Sequence, residues 1–376
     1  MDTQQADLAT GGPRSEEDEA RTTAFVGRLF EAALGAVDIA SVYVGDRLGL
    51  YRTLAASGPA TSNQLAGRAG IHERYAREWL EQQAVTGIVE VGTQDGPDGA
   101  RTFMLPAAHA EALTDLDSLF SIAPMARAFV SATQALPRIL EVFRSGGGVP
   151  WAAYGADMIE SQGDFNRAWI RHLLGSEYLP AIPDLHRRLT SEPPARVADV
   201  ACGVGWASLA IAAAYPMVRV NGFDPDETSI EIARGRAAEA GLEDRVRFHA
   251  TDAATMASEG PFDMAIVIEA IHDVARPVEV MAAIRESLAS DGVLIVADEK
   301  VGEEFEAPGN EVERLMYGFS FLVCLPAGLA GEPSAGTGTV MRPPTLRRYA
   351  EAAGFAEVEI LEQIPHDFLR FYRLSG

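Results

Sequence analysis

From Arg196 onward the chain alternates short β-branched runs with alanine-rich helical stretches, a pattern suited to a parallel sheet with helices packed on both faces. Strands are predicted over Arg196–Val200, Val218–Phe223, Val246–Ala250, Phe262–Ile268 and Val293–Asp298, with two more around Val358–Leu361 and Phe368–Leu374. The expected class is therefore α/β, a doubly wound sheet of seven strands. At 376 residues the chain is too long for one ordinary core, which stops growing near ~250–300 residues, so a second domain is expected upstream.

The upstream part has a different texture. Residues 1–20 are polar and acidic, cannot bury enough surface to order themselves, and are expected to form a disordered tail. Apolar residues then recur at helical spacing from Arg21 to Leu54 (Phe25, Leu29, Phe30, Leu34, Val37, Val44, Leu48), which predicts one long helix or two short ones. Thr61 and Ser62 are placed to cap a helix carrying Leu65, and Ile71–Val85 carries Tyr75, Trp79 and Leu80 on another. The short runs Ile88–Val91 and Arg101–Leu105 flank a turn rich in Gly, Asp and Pro and read as a hairpin. Helices followed by a hairpin make residues 21–110 a predicted winged helix. Residues 111–190 read as a helical connector and active-site roof, interrupted at Gly146–Gly155, and the α/β domain takes residues 191–376.

A winged helix either reads DNA or dimerises, and charge separates the two. Residues 21–110 hold eight Arg against nine Asp plus Glu, and the whole chain carries a net charge of -23. Sequence-independent binding to nucleic acid needs a basic face, so dimerisation is expected and nucleic acid is not. The single lysine, Lys300, argues against a phosphate-binding P-loop. Cys202 and Cys324 form no CxxC or Cys/His spacing, so neither a disulfide framework nor a metal site is predicted. The longest uncharged apolar stretch, Phe319–Gly331, is broken by Pro326 and glycines, and the first residues lack a signal-like core. A cytoplasmic chain without a membrane span is expected.

The sharpest motif is Val197–Ser208, in which a buried strand runs into a glycine turn and then an alanine-rich helix. Gly203 and Gly205 allow a ligand to approach the backbone closely. Asp224, 19 residues past Gly205 at the end of the next strand, can accept both hydroxyls of a ribose. Ser208 replaces the third glycine of a dinucleotide fingerprint, and Asp199 just before the turn suits a diphosphate badly. A nucleoside without phosphates fits better. Asp199 can instead help hold a cationic amino-acid moiety or order the loop, and Asp252, after the third strand, can accept from an adenine amino group.

These motifs, Asp199–Gly205, Phe223–Pro225, Thr251–Ala253 and Phe262–Ala265, resemble the successive motifs of class I S-adenosylmethionine-dependent methyltransferases, whose fold is Rossmann-like. Asp46–Tyr51 and Glu78–Leu80 are similar to the winged-helix halves of bacterial and plant-type small-molecule O-methyltransferases. The resemblance implies S-adenosylmethionine as cofactor and a homodimer formed through the amino-terminal domain. Gly203, Gly205, Asp224, Pro225, Asp252 and Ala253 carry over as cofactor contacts, with Asp199 supporting the turn and Glu269 beneath the methionine portion.

Glu269-Ala270-Ile271-His272-Asp273 follows the fourth strand, where sheets of this type place substrate chemistry. Methyl transfer to a hydroxyl needs positioning and removal of a proton, which a histidine can perform near neutral pH. His272 and Asp273 resemble the general-base motif of the plant-type enzymes, although the same pair also serves only to shape the site in methyltransferases of other acceptors. A carboxylate orienting His272 is expected from elsewhere, with Glu303 and Glu304 the candidates. Trp151, Tyr154, Phe165 and Trp169 are expected to line a small-molecule, aromatic acceptor pocket, with Asn166 and His172 as polar contacts. Phe165–Trp169 resembles the FNxxM lid segment of O-methyltransferases, with Trp169 departing at the methionine. Oxygen is the expected target. Transfer to carbon or nitrogen, a ligand-sensing winged-helix regulator and an NAD-linked oxidoreductase stand as alternatives.

Overall fold

The structure, a computed structural model, describes residues 15–92 and 100–376. The chain divides into two compact units, one running to Ala110 and the other from Glu111 to the end.

In the first unit, α1 (Glu16–Arg47), α2 (Leu50–Ser57), α3 (Ser62–Ala69) and α4 (Glu73–Val85) precede β1 (Glu90–Val91) and β2 (Phe103–Met104). Helix α1 begins inside the stretch expected to be a tail. Ser15 caps it by accepting the Asp18 N–H, and the four acidic residues that follow occupy the first turn, where the helix dipole favours negative charge. The rest of that expected tail, 1–14, and the centre of the hairpin turn, 93–99, lie outside the described residues. Gly49, at φ 66°, separates α1 from α2, so the stretch holds a long helix of 32 residues followed by a short one of 8, between the two expected arrangements. Thr61 and Gln64 close α3 with reciprocal side-chain-to-backbone bonds. Strands β1 and β2 pair antiparallel, and Phe103 pairs with Ala60 across the other edge. Leu50, Tyr51, Leu54, Leu65, Trp79 and Leu80 form the buried interior. The amino-terminal stretch of α1 behaves differently: Phe25, Val26, Leu29, Phe30, Leu34 and Val37 are 45–63% exposed.

The second unit is built on seven strands: β3 (Arg196–Val200), β4 (Arg219–Asp224), β5 (Val246–Ala250), β6 (Phe262–Ile268), β7 (Leu288–Glu299), β8 (Glu357–Ile360) and β9 (Leu369–Ser375). Their order is β5-β4-β3-β6-β7-β9-β8; the pairings from β5 to β7 are parallel, and β9 is antiparallel to both neighbours. The predicted strands recur within a residue or so at most ends. The exception is β7, which starts five residues before the predicted Val293, after a register shift between Phe262 and Met264 on β6. Strand residues alternate between two cores, one containing Val197, Met264, Ile266, Ile295 and Ala297, the other Ala198, Ala265, Val267, Leu294 and Val296. The interior strands are therefore apolar on both faces, as a sheet covered by helices on both sides requires.

Candidate active site

Strand order reverses between β3 and β6, and the carboxyl ends of those strands flank the crevice where doubly wound sheets bind ligands. A cavity of about 560 Å³ opens there. Along one wall runs the turn after β3. Ala201 takes φ 55°, Gly203 φ 50° and Gly205 φ 86°, and a Cβ on Gly205 would come within 2.8 Å of the Phe248 ring. At Gly203 the same atom would meet nothing, so it faces open space where a ligand can approach the backbone. The Asp199 carboxylate accepts from Ser208 N–H at 2.9 Å and Ser208 Oγ at 2.7 Å, tying the turn to the helix Trp206–Ala214. Burial pushes that carboxyl up to about 7 against those two bonds. Asp224, at the end of β4, accepts from Gly203 N–H and Asp226 N–H, each at 2.9 Å, and burial raises its pKa as well.

Asp199, Gly203, Asp224, Pro225 and Glu269 all line this cavity. Gly205 lies behind it, against Phe248 and Ala233. Asp252 and Ala253 line a second cavity of about 360 Å³, which shares Ala201, Pro225, Ala270 and Val274 with the first.

The opposite wall is the helix Ala156–Trp169, held close to the turn because Gly163 leaves room for the Val204 side chain. Trp151, Phe165 and Asn166 face the cavity. Asn166 and Gln162 both donate to the Glu269 carboxylate, and Glu269 is the second non-glycine residue at positive φ, 50°. Positive φ at two non-glycine strand-end residues on one cavity stores strain of about 1–3 kcal/mol each, a pattern associated with functional sites. Two aromatics expected on the wall are absent from it. Trp169, the last residue of that helix before the π-turn Ile170–Tyr178, is buried against Tyr178, His366 and Phe371. Tyr154 is buried behind Trp151, its hydroxyl donating to Leu322 O at 2.8 Å. His172 is exposed and bonds the Asp117 carbonyl away from the cavity.

His272 forms the floor and is 2% exposed. Its Nδ1 lies 2.8 Å from Asp298 Oδ1, and its Nε2 lies 3.3 Å from Asp273 Oδ1, with the Cys324 thiol beside it. Asp298 on β7 is thus the orienting carboxylate. Glu303 and Glu304 are both exposed, and Glu303 pairs with Arg347. In sequence Asp298 is only the last residue of a strand; its side chain meets a loop 26 residues earlier, a contact that no local pattern marks. Burial alone disfavours the imidazolium, but the Asp298 and Asp273 charges and the Asp298 and Cys324 hydrogen bonds outweigh it. They hold His272 well above its ordinary pKa. Cys324, at the end of the π-turn Ser320–Cys324, is pushed up to about 12 by burial and by Asp273. Among the described residues, His272, Asp273 and Cys324 place one ligand-type atom each within 4.8 Å of one another.

Residues 191–322 match the family described as "Methyltransferase domain", and residues 36–115 match the "Rv2258c-like winged HTH domain". Among curated proteins, trans-aconitate 2-methyltransferase of Streptomyces avermitilis is 28% identical over 135 residues, 36% of this chain and 45% of that one. The chain spans less than half the length of the curated relatives it matches. Among solved structures, the mitomycin 7-O-methyltransferase MmcR superposes with a TM-score of 0.67 at 20% identity, over 95% of this chain and 99% of that one. Human N-acetylserotonin methyltransferase, solved in complex with S-adenosylmethionine, does so with 0.65 at 16%, over 97% and 99%. At such identities the likeness is one of fold. Among the described residues no helix is long and apolar enough to cross a membrane. Residues 191–322 are therefore a methyltransferase domain, preceded by a winged helix-turn-helix domain, on the fold shared with these two methyltransferases.

Proposed function

We propose that the chain transfers the methyl group of S-adenosylmethionine to a hydroxyl oxygen of a small aromatic acceptor, with His272 as the general base. The observation that carries this reading is the buried His272–Asp298 pair opening onto the same cavity as Asp224 and the Gly203 turn. A nucleoside on Asp224 and an acceptor hydroxyl near Nε2 put donor and acceptor in one enclosed space, the positioning that an in-line methyl displacement needs. Asp199 holds the turn, Pro225, Asp252 and Ala253 serve the adenosine end, and Gln162 and Asn166 aim Glu269 at the methionine end. The positively charged sulfonium suits a cavity lined by carboxylates. Trp151, Phe165, Trp206, Phe319 and Phe368 offer flat apolar surface for an aromatic ring.

Calorimetric titration with S-adenosylmethionine and S-adenosylhomocysteine tests the reading. Micromolar binding of both is expected, together with methyl transfer to a phenol in an acceptor screen. Absence of binding would remove the enzyme assignment and bring back the regulator. A polycarboxylate acceptor, suggested by the name of the Streptomyces relative, fits poorly, because among the described residues lining the larger cavity there is no Lys or Arg.

The exposed apolar residues of α1 support a homodimer, each copy covering the other's Phe25, Leu29, Phe30 and Val37. A Leu29→Glu, Phe30→Glu double variant is expected to sediment as a folded monomer where the parent sediments as a dimer. An unchanged sedimentation coefficient would place the interface elsewhere.

A further inference from the structure

The larger cavity is lined by Asp199, Asp224, Asp226, Glu269, Asp273 and Glu299. Most of these carboxylates have a partner within the chain. Asp199 and Asp224 hold the glycine turn, Asp226 caps the helix Glu227–Glu239 through Ser229, and Glu269 takes the amides of Gln162 and Asn166. Asp273 Oδ1 makes no hydrogen bond but lies 3.3 Å from His272 Nε2, a charge contact. The Glu299 side chain has neither a hydrogen bond nor an ion pair among the described residues. It is 5% exposed, and its Oε2, fully shielded, finds no hydrogen-bond partner among the described residues. A buried acceptor left without a partner costs about 1–3 kcal/mol, so a group retained in that state at a cavity wall points to a ligand that completes it.

Its position narrows which ligand. The glycine turn follows β3, whereas Glu299 ends β7, two strands across the sheet on the far side of β6. Glu299 lines the cavity together with His272, Asp273 and Cys324, the end at which the reading above places the acceptor. Its charged neighbours are Glu269, Asp298 and Asp273, with His272 the one group able to carry positive charge among them. In such surroundings a further carboxylate is repelled and a cation is welcomed.

We propose that Glu299 is a specificity-determining residue that binds a protonated nitrogen on the acceptor, so that the acceptor class is a hydroxylated aromatic amine. This rests on the methyltransferase reading above. Burial, reinforced by Glu269, holds the Glu299 carboxyl well above the ordinary carboxylate range, which favours its protonated form. An incoming ammonium group replaces that proton. Amine binding is accordingly coupled to proton release and tightens as pH rises towards the carboxyl's raised pKa.

The experiment uses the full chain saturated with S-adenosylhomocysteine and three phenols that differ only in charge: tyramine, para-cresol and para-hydroxyphenylacetate. Calorimetry is expected to rank tyramine about tenfold or more tighter than para-cresol, with the carboxylate weakest. Repeating the tyramine titration in buffers of different ionisation enthalpy should reveal the released proton. In Glu299→Gln the advantage of tyramine over para-cresol should fall to about onefold while S-adenosylhomocysteine binds as in the parent. The proposal is overturned if para-cresol binds as tightly as tyramine, or if none of the three binds at millimolar concentration. It is also overturned if Glu299→Gln weakens S-adenosylhomocysteine as much as tyramine, which would assign the carboxyl to the cofactor's own ammonium group. The wild-type ranking needs no variant to fold. Failure of S-adenosylhomocysteine itself to bind is a separate result that removes the methyltransferase reading.

Discussion

Replacing Asp224 with alanine is expected to weaken S-adenosylmethionine by about a hundredfold or more, since a hydrogen bond to a charged group contributes about 1.5–3 kcal/mol and two ribose hydroxyls share this carboxylate. The effect has a second source. Asp224 Oδ2 and Oδ1 already accept from the N–H groups of Gly203 and Asp226, so the truncation also frees the turn that must lie against the nucleoside. Asp224→Asn separates the contributions. It retains one acceptor for a backbone donor but loses the charge and one of the two acceptor oxygens, and it should recover only part of the affinity. Calorimetry on the parent and both variants, with thermal unfolding to show that the sheet is intact, provides the check. Affinity within about threefold of the parent in Asp224→Ala would move the nucleoside away from β4.

That residue was accessible to sequence reasoning because its evidence is local. A β-branched run ending in an acid, 19 residues after a double glycine, needs no knowledge of distant chain, and strand ends in a doubly wound sheet all point to one edge. The sheet was legible for the same reason, since hydrophobic runs of strand length between helical stretches leave few topologies. Features that depend on side-chain direction or on chain far away were not legible. The aromatic stripe Tyr154, Phe165, Trp169 has the spacing of a pocket wall, yet Trp169 packs on Tyr178, His366 and Phe371, the last two far along the chain, contacts that helical periodicity does not encode. Glu303 and Glu304 looked available to orient His272 because they follow β7, but the strand pairs with β9 up to Glu299, leaving both in the exposed loop beyond. Alternation along β7 then sends Asp298 to one face of the sheet and Glu299 to the other. One residue grips the imidazole and the next is left unpaired, a division visible only once the register is known. The start of α1 failed in the opposite way. The Ser-Glu-Glu-Asp cap lies within a polar, acidic stretch whose composition alone reads as a tail.

His272→Ala is expected to lower kcat by about 10²–10⁴, the usual range for a positioned general base, while S-adenosylmethionine binds as in the parent. A residue that merely shapes the site would change KM and leave kcat near its parent value. The pH profile adds a second readout. The base acts as the neutral ring; burial opposes the charged ring, but the Asp298 and Asp273 charges and the hydrogen bonds with Asp298 and Cys324 outweigh it and hold the ring well above its ordinary pKa. Activity should therefore still be rising above neutral pH, with the ascending limb on the alkaline side of ~6.5. Asp298→Asn removes the strongest of the charges that favour the imidazolium, so the limb should move to lower pH even as kcat falls by a smaller factor than in His272→Ala. A limb that stays in place in Asp298→Asn would mean that some other group titrates. A transition metal held by His272, Asp273 and Cys324 could also make kcat depend on His272, and it predicts different behaviour. Metal binding requires the thiolate, whereas burial pushes the Cys324 thiol up to about 12, so that site is poor for a metal at neutral pH. Dialysis against EDTA should leave the parent rate unchanged. Loss of rate on dialysis, restored by zinc, would recast His272 as a metal ligand and remove it as the base.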